Sequence, residues 1–250
     1  MHVIDETRYD WRIYDKPVKH RFLGRYNDSL DISQLRNHTH KLIHFTSLFG
    51  TGKFPIKNPE NMIFFEQLKN SIKYKHPAVL KMTKIVVEAL GGPGNFVGAH
   101  LRTADGLFID AIPDNIQQLI SSIPNNNNNN NNNQIPNSDK LATCVALAKQ
   151  NRTKLVFLAT DAVQPRNNSK FRDLWKHLPC TFTLAEILKD KDPLWSHMDQ
   201  YRTSHTGQSM RKYLIPLIDA LVASQGERFV GTKGSTFSGY INRLHKSYWK

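Results

Sequence analysis

The sequence predicts an α/β protein in which a parallel sheet carries helices on its faces. Short strand candidates alternate with stretches of helical periodicity, and most connections between them are short. The composition is that of an ordinary soluble domain, 39% hydrophobic and 22% charged, which excludes a globally disordered chain. A length of 250 residues suffices for one sizeable core, or for one domain and part of another.

Along the chain, "NPENMIFFEQLKNSIKY" (58–74) reads as a helix with Asn58 as N-cap and Pro59 in the first helical position. "AVLKMTKIVVEAL" (78–90) is a second helix, stopped by Gly91-Gly92-Pro93-Gly94. "NFVGAHL" (95–101) is a short buried strand. Residues 125–133 are nine consecutive asparagines between Pro124 and Pro136. Such a tract buries no apolar surface and is expected to be a disordered surface insertion, whose closure entropy grows only slowly with length. "SDKLATCVALAKQN" (138–151) reads as a helix capped by Ser138, followed by the strand "KLVFLATD" (154–161). Residues 169–178 and 183–190 read as two further helices, and 207–224 as a long amphipathic helix kinked at Pro216. The strand "RFVGT" (228–232) then hands over, through a Gly-Thr-Lys-Gly turn, to a last helical pattern.

The net charge of +13 favours an anionic partner. Lys and Arg are scattered, without a block of five or six or an aromatic-interleaved stripe, so nucleic acid is not the expected partner. No Cys/His spacing suggests zinc. Among eleven histidines, His38, His40 and His44 lie in a polar stretch and read as surface residues. Cys144 and Cys180 are either buried thiols, the default, or one disulfide if the protein is luminal. The first residues show no apolar leader core, and no run is long enough to span a bilayer. Sequons at Asn27, Asn37, Asn151 and Asn167 fit a secretory history.

Ligands of open parallel sheets sit beyond the carboxyl ends of the strands. That rule selects His100-Leu101-Arg102, Thr160-Asp161 and Gly231 to Ser238. A helix N-terminus after Gly234 offers unpaired amides and the positive end of the helix dipole, with Ser235, Thr236 and Ser238 adding hydroxyls. Taken alone, Ser235 is more simply an N-cap. His100 and Arg102 share a face, since strand side chains alternate, and an arginine fork there suits a diphosphate. Asp105 either pairs with Arg102 or fixes the loop. Asp161 either accepts hydrogen bonds from a base or ribose, or caps the next helix. Neither "GTKGS" nor "FGTGK" has Walker spacing.

Three segments in order, "VGAHLRTAD", "VFLATD" and "FVGTKGSTFSGYINRLH", resemble the H-x-R, A-T-D and F-x-G-x-x-x-S-[ST]-F-S segments of the GDP-fucose protein O-fucosyltransferase family. "HFTSLFG" (44–50) is similar to the segment preceding the sugar-nucleotide domain in fungal members. The resemblance covers roughly residues 40–250. It implies a Rossmann-like parallel sheet with flanking helices, the C-terminal half of a GT-B-type glycosyltransferase. It also implies inverting, metal-independent transfer of fucose from GDP-fucose, with no cofactor, to a Ser/Thr hydroxyl of a glycoprotein or to a glycan acceptor. By residue, Arg102 matches the essential arginine that holds the β-phosphate; His100, Ser235, Thr236, Phe237 and Ser238 match the nucleotide-sugar site. Asp161 matches an aspartate near the nucleoside, and Asp219 a helix acid.

The resemblance further implies residues 56–250 as the sugar-nucleotide domain and 1–55 as a remnant of the N-terminal half. The family's Gly-rich N-N-Q-type segment has no counterpart in residues 1–22, so the chain is expected to lack most of that half and any leader. The compartment expected of the full enzyme is the lumen of the endoplasmic reticulum or Golgi. Rival expectations are a non-catalytic nucleotide-sugar-binding relic, a transferase of another deoxysugar such as rhamnose, and, less favoured, a nucleic-acid-binding α/β protein.

Overall fold

A computed structural model describes residues 2–4, 11–16, 22–45, 54–71, 74–104, 106–123 and 140–249. The asparagine tract, Ser138 and Asp105 lie outside these residues. The chain divides into two compact units, Met1–Lys73 and Tyr74–Lys250.

The first unit holds strands β1 (His2–Ile4), β2 (Trp11–Tyr14), β3 (Asp28–Asp31) and β4 (Ile43–Phe45), with helices α1 (Ile32–Arg36) and α2 (Pro59–Ser71). β1 pairs with β4 and β2 with β3, both in parallel. Asp31 ends β3 and opens α1 through a capping box with Gln34. At α2 the Asn58 side chain accepts the Glu60 amide at 3.1 Å, as an N-cap does. The Asp15 carboxylate anchors the same entry by accepting the Lys57 amide at 2.8 Å and the Asn58 amide at 3.1 Å. Helix α2, expected with the C-terminal domain, is grouped with this first unit.

The second unit contains α3 (Pro77–Ala89), β5 (Val97–Leu101), α4 (Gly106–Asp110), α5 (Ile112–Ser122), α6 (Lys140–Lys149) and β6 (Val156–Thr160). It continues with α7 (Arg172–His177), β7 (Thr181–Phe182), α8 (Leu184–Ile187), α9 (Ser196–Asp199), α10 (Arg211–Ser224), β8 (Arg228–Gly231) and α11 (Thr236–Tyr248). Its sheet is parallel throughout, in the order β7-β6-β5-β8, with Val97 of β5 level with Val156 of β6 and Arg228 of β8. Strand alternation feeds two apolar layers. Phe157 and Ala159 join Met82 and Val86 of α3 and Ile218 of α10 on one face. Val156 and Leu158 join Ile116 of α5, Leu174 of α7 and Phe171, just before α7, on the other. Helix α10 lies directly on β5: a Cβ at Gly98 would stand 1.9 Å from the Ala223 carbonyl oxygen, so only glycine fits.

Several expected helices are shorter in the structure. Residues 169–178 begin as a 3-10 turn, Ser169–Phe171, before α7; 183–190 contracts to α8 behind a Thr183/Glu186 capping box. The long helix starts at Arg211, because 202–209 fold into a turn bridged from Arg202 to Ser209, and Pro216 lies inside it. The default of two free thiols is corrected: Cys144 of α6 and Cys180, just before β7, form a disulfide.

Candidate functional site

Strand order reverses beside β5. The chain runs outward from β5 through β6 to β7, then returns to place β8 on the other side of β5. The crevice above such a reversal is where ligands of open α/β sheets bind. His100, in β5, is 5% exposed, with its Nδ1 2.6 Å from Ser238 Oγ in the first turn of α11. Its ring packs edge-on to Phe237 at 5.0 Å. Burial lowers its pKa from 6.5 to about 4, Asp161 acting against the shift and Arg102 with it, so the imidazole is neutral at pH 7.

Helix α11 starts close to the sheet because of two glycines. Gly234 turns the chain at φ 78°, and a Cβ at Gly231 would meet Ser238 Cβ at 2.7 Å. Ser235 is the N-cap, its Oγ accepting the Ser238 amide at 3.3 Å. The amides of Thr236 and Phe237 have no intrahelical acceptor, being the first two of the helix.

Arg102 comes directly after β5 and Asp161 directly after β6. The Arg102 amide donates to Thr232 Oγ1 at 3.0 Å, and the Thr232 amide donates to the His100 carbonyl at 3.1 Å. Asp161 Oδ1 accepts the Thr103 amide at 2.7 Å and the Thr103 hydroxyl at 2.8 Å. Its Oδ2 accepts the Ala104 amide at 3.2 Å and lies 3.2 Å from Arg102 Nε. Thr160 Oγ1 donates to the Leu101 carbonyl at 2.8 Å, which ties β6 to β5 below the aspartate.

His100, Arg102, Asp161, Ser235, Thr236, Phe237 and Ser238 are thus gathered at the carboxyl ends of β5, β6 and β8. Asp219 is not tied to them. It sits inside α10 with Oδ1 buried and without a hydrogen-bond partner, and burial pushes its pKa from 3.8 up to about 8. Asp161 does not cap the next helical turn, Pro165–Asn167, because Gln164 holds its N-cap position. Ser238 spends its hydroxyl on His100. The expected surface histidines His38, His40 and His44 are exposed. Thr103 and Thr232, both buried, lie inside stretches that the sequence singles out, "VGAHLRTAD" and Gly231 to Ser238, but no role of their own could be read for them there.

Arg102 is linked by its amide to Thr232, in the segment that leads into α11; an arginine and a helix N-terminus are each chemically able to receive an anion. No group of His, Cys, Asp and Glu that could hold a metal ion occurs among the described residues, nor does a helix long and apolar enough to cross a membrane. A family model, GDP-fucose protein O-fucosyltransferase, matches residues 2–248. No curated protein matches the chain.

Proposed function

The chain belongs to the GDP-fucose protein O-fucosyltransferase family, and we propose that it binds GDP-fucose above β5, β6 and β8 and transfers the sugar to a protein Ser/Thr hydroxyl. Membership implies glycosyltransferase chemistry in general; the donor, the acceptor and an inverting, metal-independent course are our reading. The observation that carries it is the junction of Arg102 and the α11 N-terminus, joined through Thr232 and through the His100–Ser238 bond. In this reading the sheet of the second unit is the C-terminal, sugar-nucleotide-binding half of a GT-B-type enzyme.

The mechanism is set by where charge grows. As the sugar leaves with oxocarbenium character, negative charge builds on the departing diphosphate. The Arg102 guanidinium and the Thr236 and Phe237 amides are donors fixed before the reaction, so they stabilise that charge without reorganising. Neutral His100 adds no second cation; it holds Ser238, and with it the first turn of α11, against β5. The Cys144–Cys180 disulfide and the exposure of Asn27, Asn37, Asn151 and Asn167 support a luminal, secretory-pathway setting. The test is fucose transfer from labelled GDP-fucose to an acceptor protein: Arg102→Ala is expected to lower the rate by about a hundredfold or more. An undiminished rate would remove Arg102 from the mechanism.

A further inference from the structure

Asp161 invites assignment as a group that grips the nucleoside. Its hydrogen bonding points elsewhere. An ionised carboxylate has about four acceptor sites, and in this protein four donors of the chain itself are ranged on the two oxygens of Asp161. Oδ1 takes the amide and hydroxyl of Thr103, and Oδ2 takes the Ala104 amide and faces Arg102 Nε. All four come from the turn that leaves β5. On the other side of that turn, Thr232 Oγ1 takes the preceding amide, that of Arg102. Three consecutive amides, 102 to 104, are therefore held by side chains just past the two neighbouring strands, Asp161 after β6 and Thr232 after β8.

We propose that Asp161 and Thr232 are positioning residues which clamp the turn carrying Arg102, and that Asp161 acts on the nucleotide only through Arg102. This rests on the reading of Arg102 as the ligand of the terminal phosphate of a GDP-sugar. The physical logic is preorganisation. An arginine just past a strand end has many rotamers, and its chain loses side-chain entropy when it is fixed. Holding its backbone at both sides and its Nε from one side incurs that cost on folding instead of on binding. The charge of Asp161 also directs the guanidinium plane, because Nε must face Oδ2. Thr103 and Thr232 are both buried, so their contacts are shielded from water, whereas the Arg102–Asp161 ion pair is part-exposed.

The test compares GDP with GMP, which lacks the terminal phosphate, by calorimetry on the folded full chain. Asp161→Asn places an amide donor against donors and is expected to weaken GDP binding by about tenfold while GMP binding changes by less than about twofold. A second cycle uses Arg102→Ala: adding Asp161→Asn to it should cost less than about twofold further in GDP affinity, since the aspartate then has nothing to position. Equal loss of GDP and GMP affinity in Asp161→Asn, or additive losses in the cycle, would mean direct contact with the nucleoside and would overturn the proposal while leaving the GDP site standing. Thr232→Val, which keeps the side-chain shape, provides the same comparison if Asp161→Asn does not fold; a selective loss of GDP affinity supports the clamp, and unchanged or equal losses refute it. Failure of the wild-type chain to bind GDP would overturn the clamp together with the function on which it rests.

Discussion

The buried His100 predicts a measurable acid sensitivity. Its pKa is lowered from 6.5 to about 4, chiefly by burial. Above pH 6.5 the imidazole is neutral in folded and unfolded chains alike and contributes nothing to pH dependence. As pH falls from 6.5 to about 4, the unfolded chain takes up a proton that the folded one refuses, so stability is lost over that window and levels off below it. Each pH unit of separation is worth about 1.4 kcal/mol, so the full penalty approaches about 3 kcal/mol. His100→Asn keeps a polar atom toward Ser238 but cannot titrate. Urea unfolding of both proteins at pH 7.5, 6, 5 and 4 would isolate the effect as the difference between their slopes. Wild type should lose about 3 kcal/mol more than the variant across the series. Parallel pH profiles would show that the ring is accessible to protons and would refute the closed packing of His100 against Ser238 and Phe237.

Two further predictions concern buried groups away from the site. Asp219 has the opposite sign: its folded-state pKa, raised to about 8, makes the fold less stable as pH climbs from 3.8 toward 8. Asp219→Asn should therefore be more stable than wild type at pH 8, by at least about 1 kcal/mol, and no more stable at pH 3.5; thermal melts at the two pH values would check this. The Cys144–Cys180 disulfide closes a separation of 36 residues, for which the chain-entropy treatment gives about 3 to 4 kcal/mol. Cys180→Ser, or reduction of wild type, should lower the melting temperature accordingly, and identical melts with and without reductant would contradict the bond.

Legibility in the sequence depends on which interactions are local. β5 and β6 were legible because strands covered on both faces are almost wholly apolar, and β8, a half-buried edge strand, from its short apolar stretch before a glycine-rich turn; their carboxyl ends then named the site region. Helix α3 was legible because its buried positions Val79, Met82 and Val86, with Leu90 at its C-cap, repeat at helical spacing. The two-residue β7 and the short parallel pairs of the first unit carry too few residues for any periodicity to register. The truncated starts of α7 and α10 reflect local capping and turn bonds that periodicity does not encode.

Within the site, the positions that come together, such as Arg102 just past a strand end, were read from sequence. Residues whose role is set by a distant partner were not. Thr232 lies 130 residues from the Arg102 amide that it holds, and Asp161 lies 58 from Thr103. Asp161 left two roles open in sequence, a nucleoside contact or a helix cap, whereas its hydrogen bonds run to the turn after β5. Ser235 shows the reverse: the N-cap role expected of it alone is present, and the same cap leaves the amides of Thr236 and Phe237 without an intrahelical acceptor.

In the proposed function, Arg102 and the first turn of α11 grip one diphosphate. Calorimetric titration with GDP, on wild type and on Arg102→Ala, tests it most directly. Wild type is expected to bind saturably, with an affinity that falls as salt is added, and the variant to bind about tenfold or more weakly. No binding by wild type, or equal affinity in the two proteins, would contradict it.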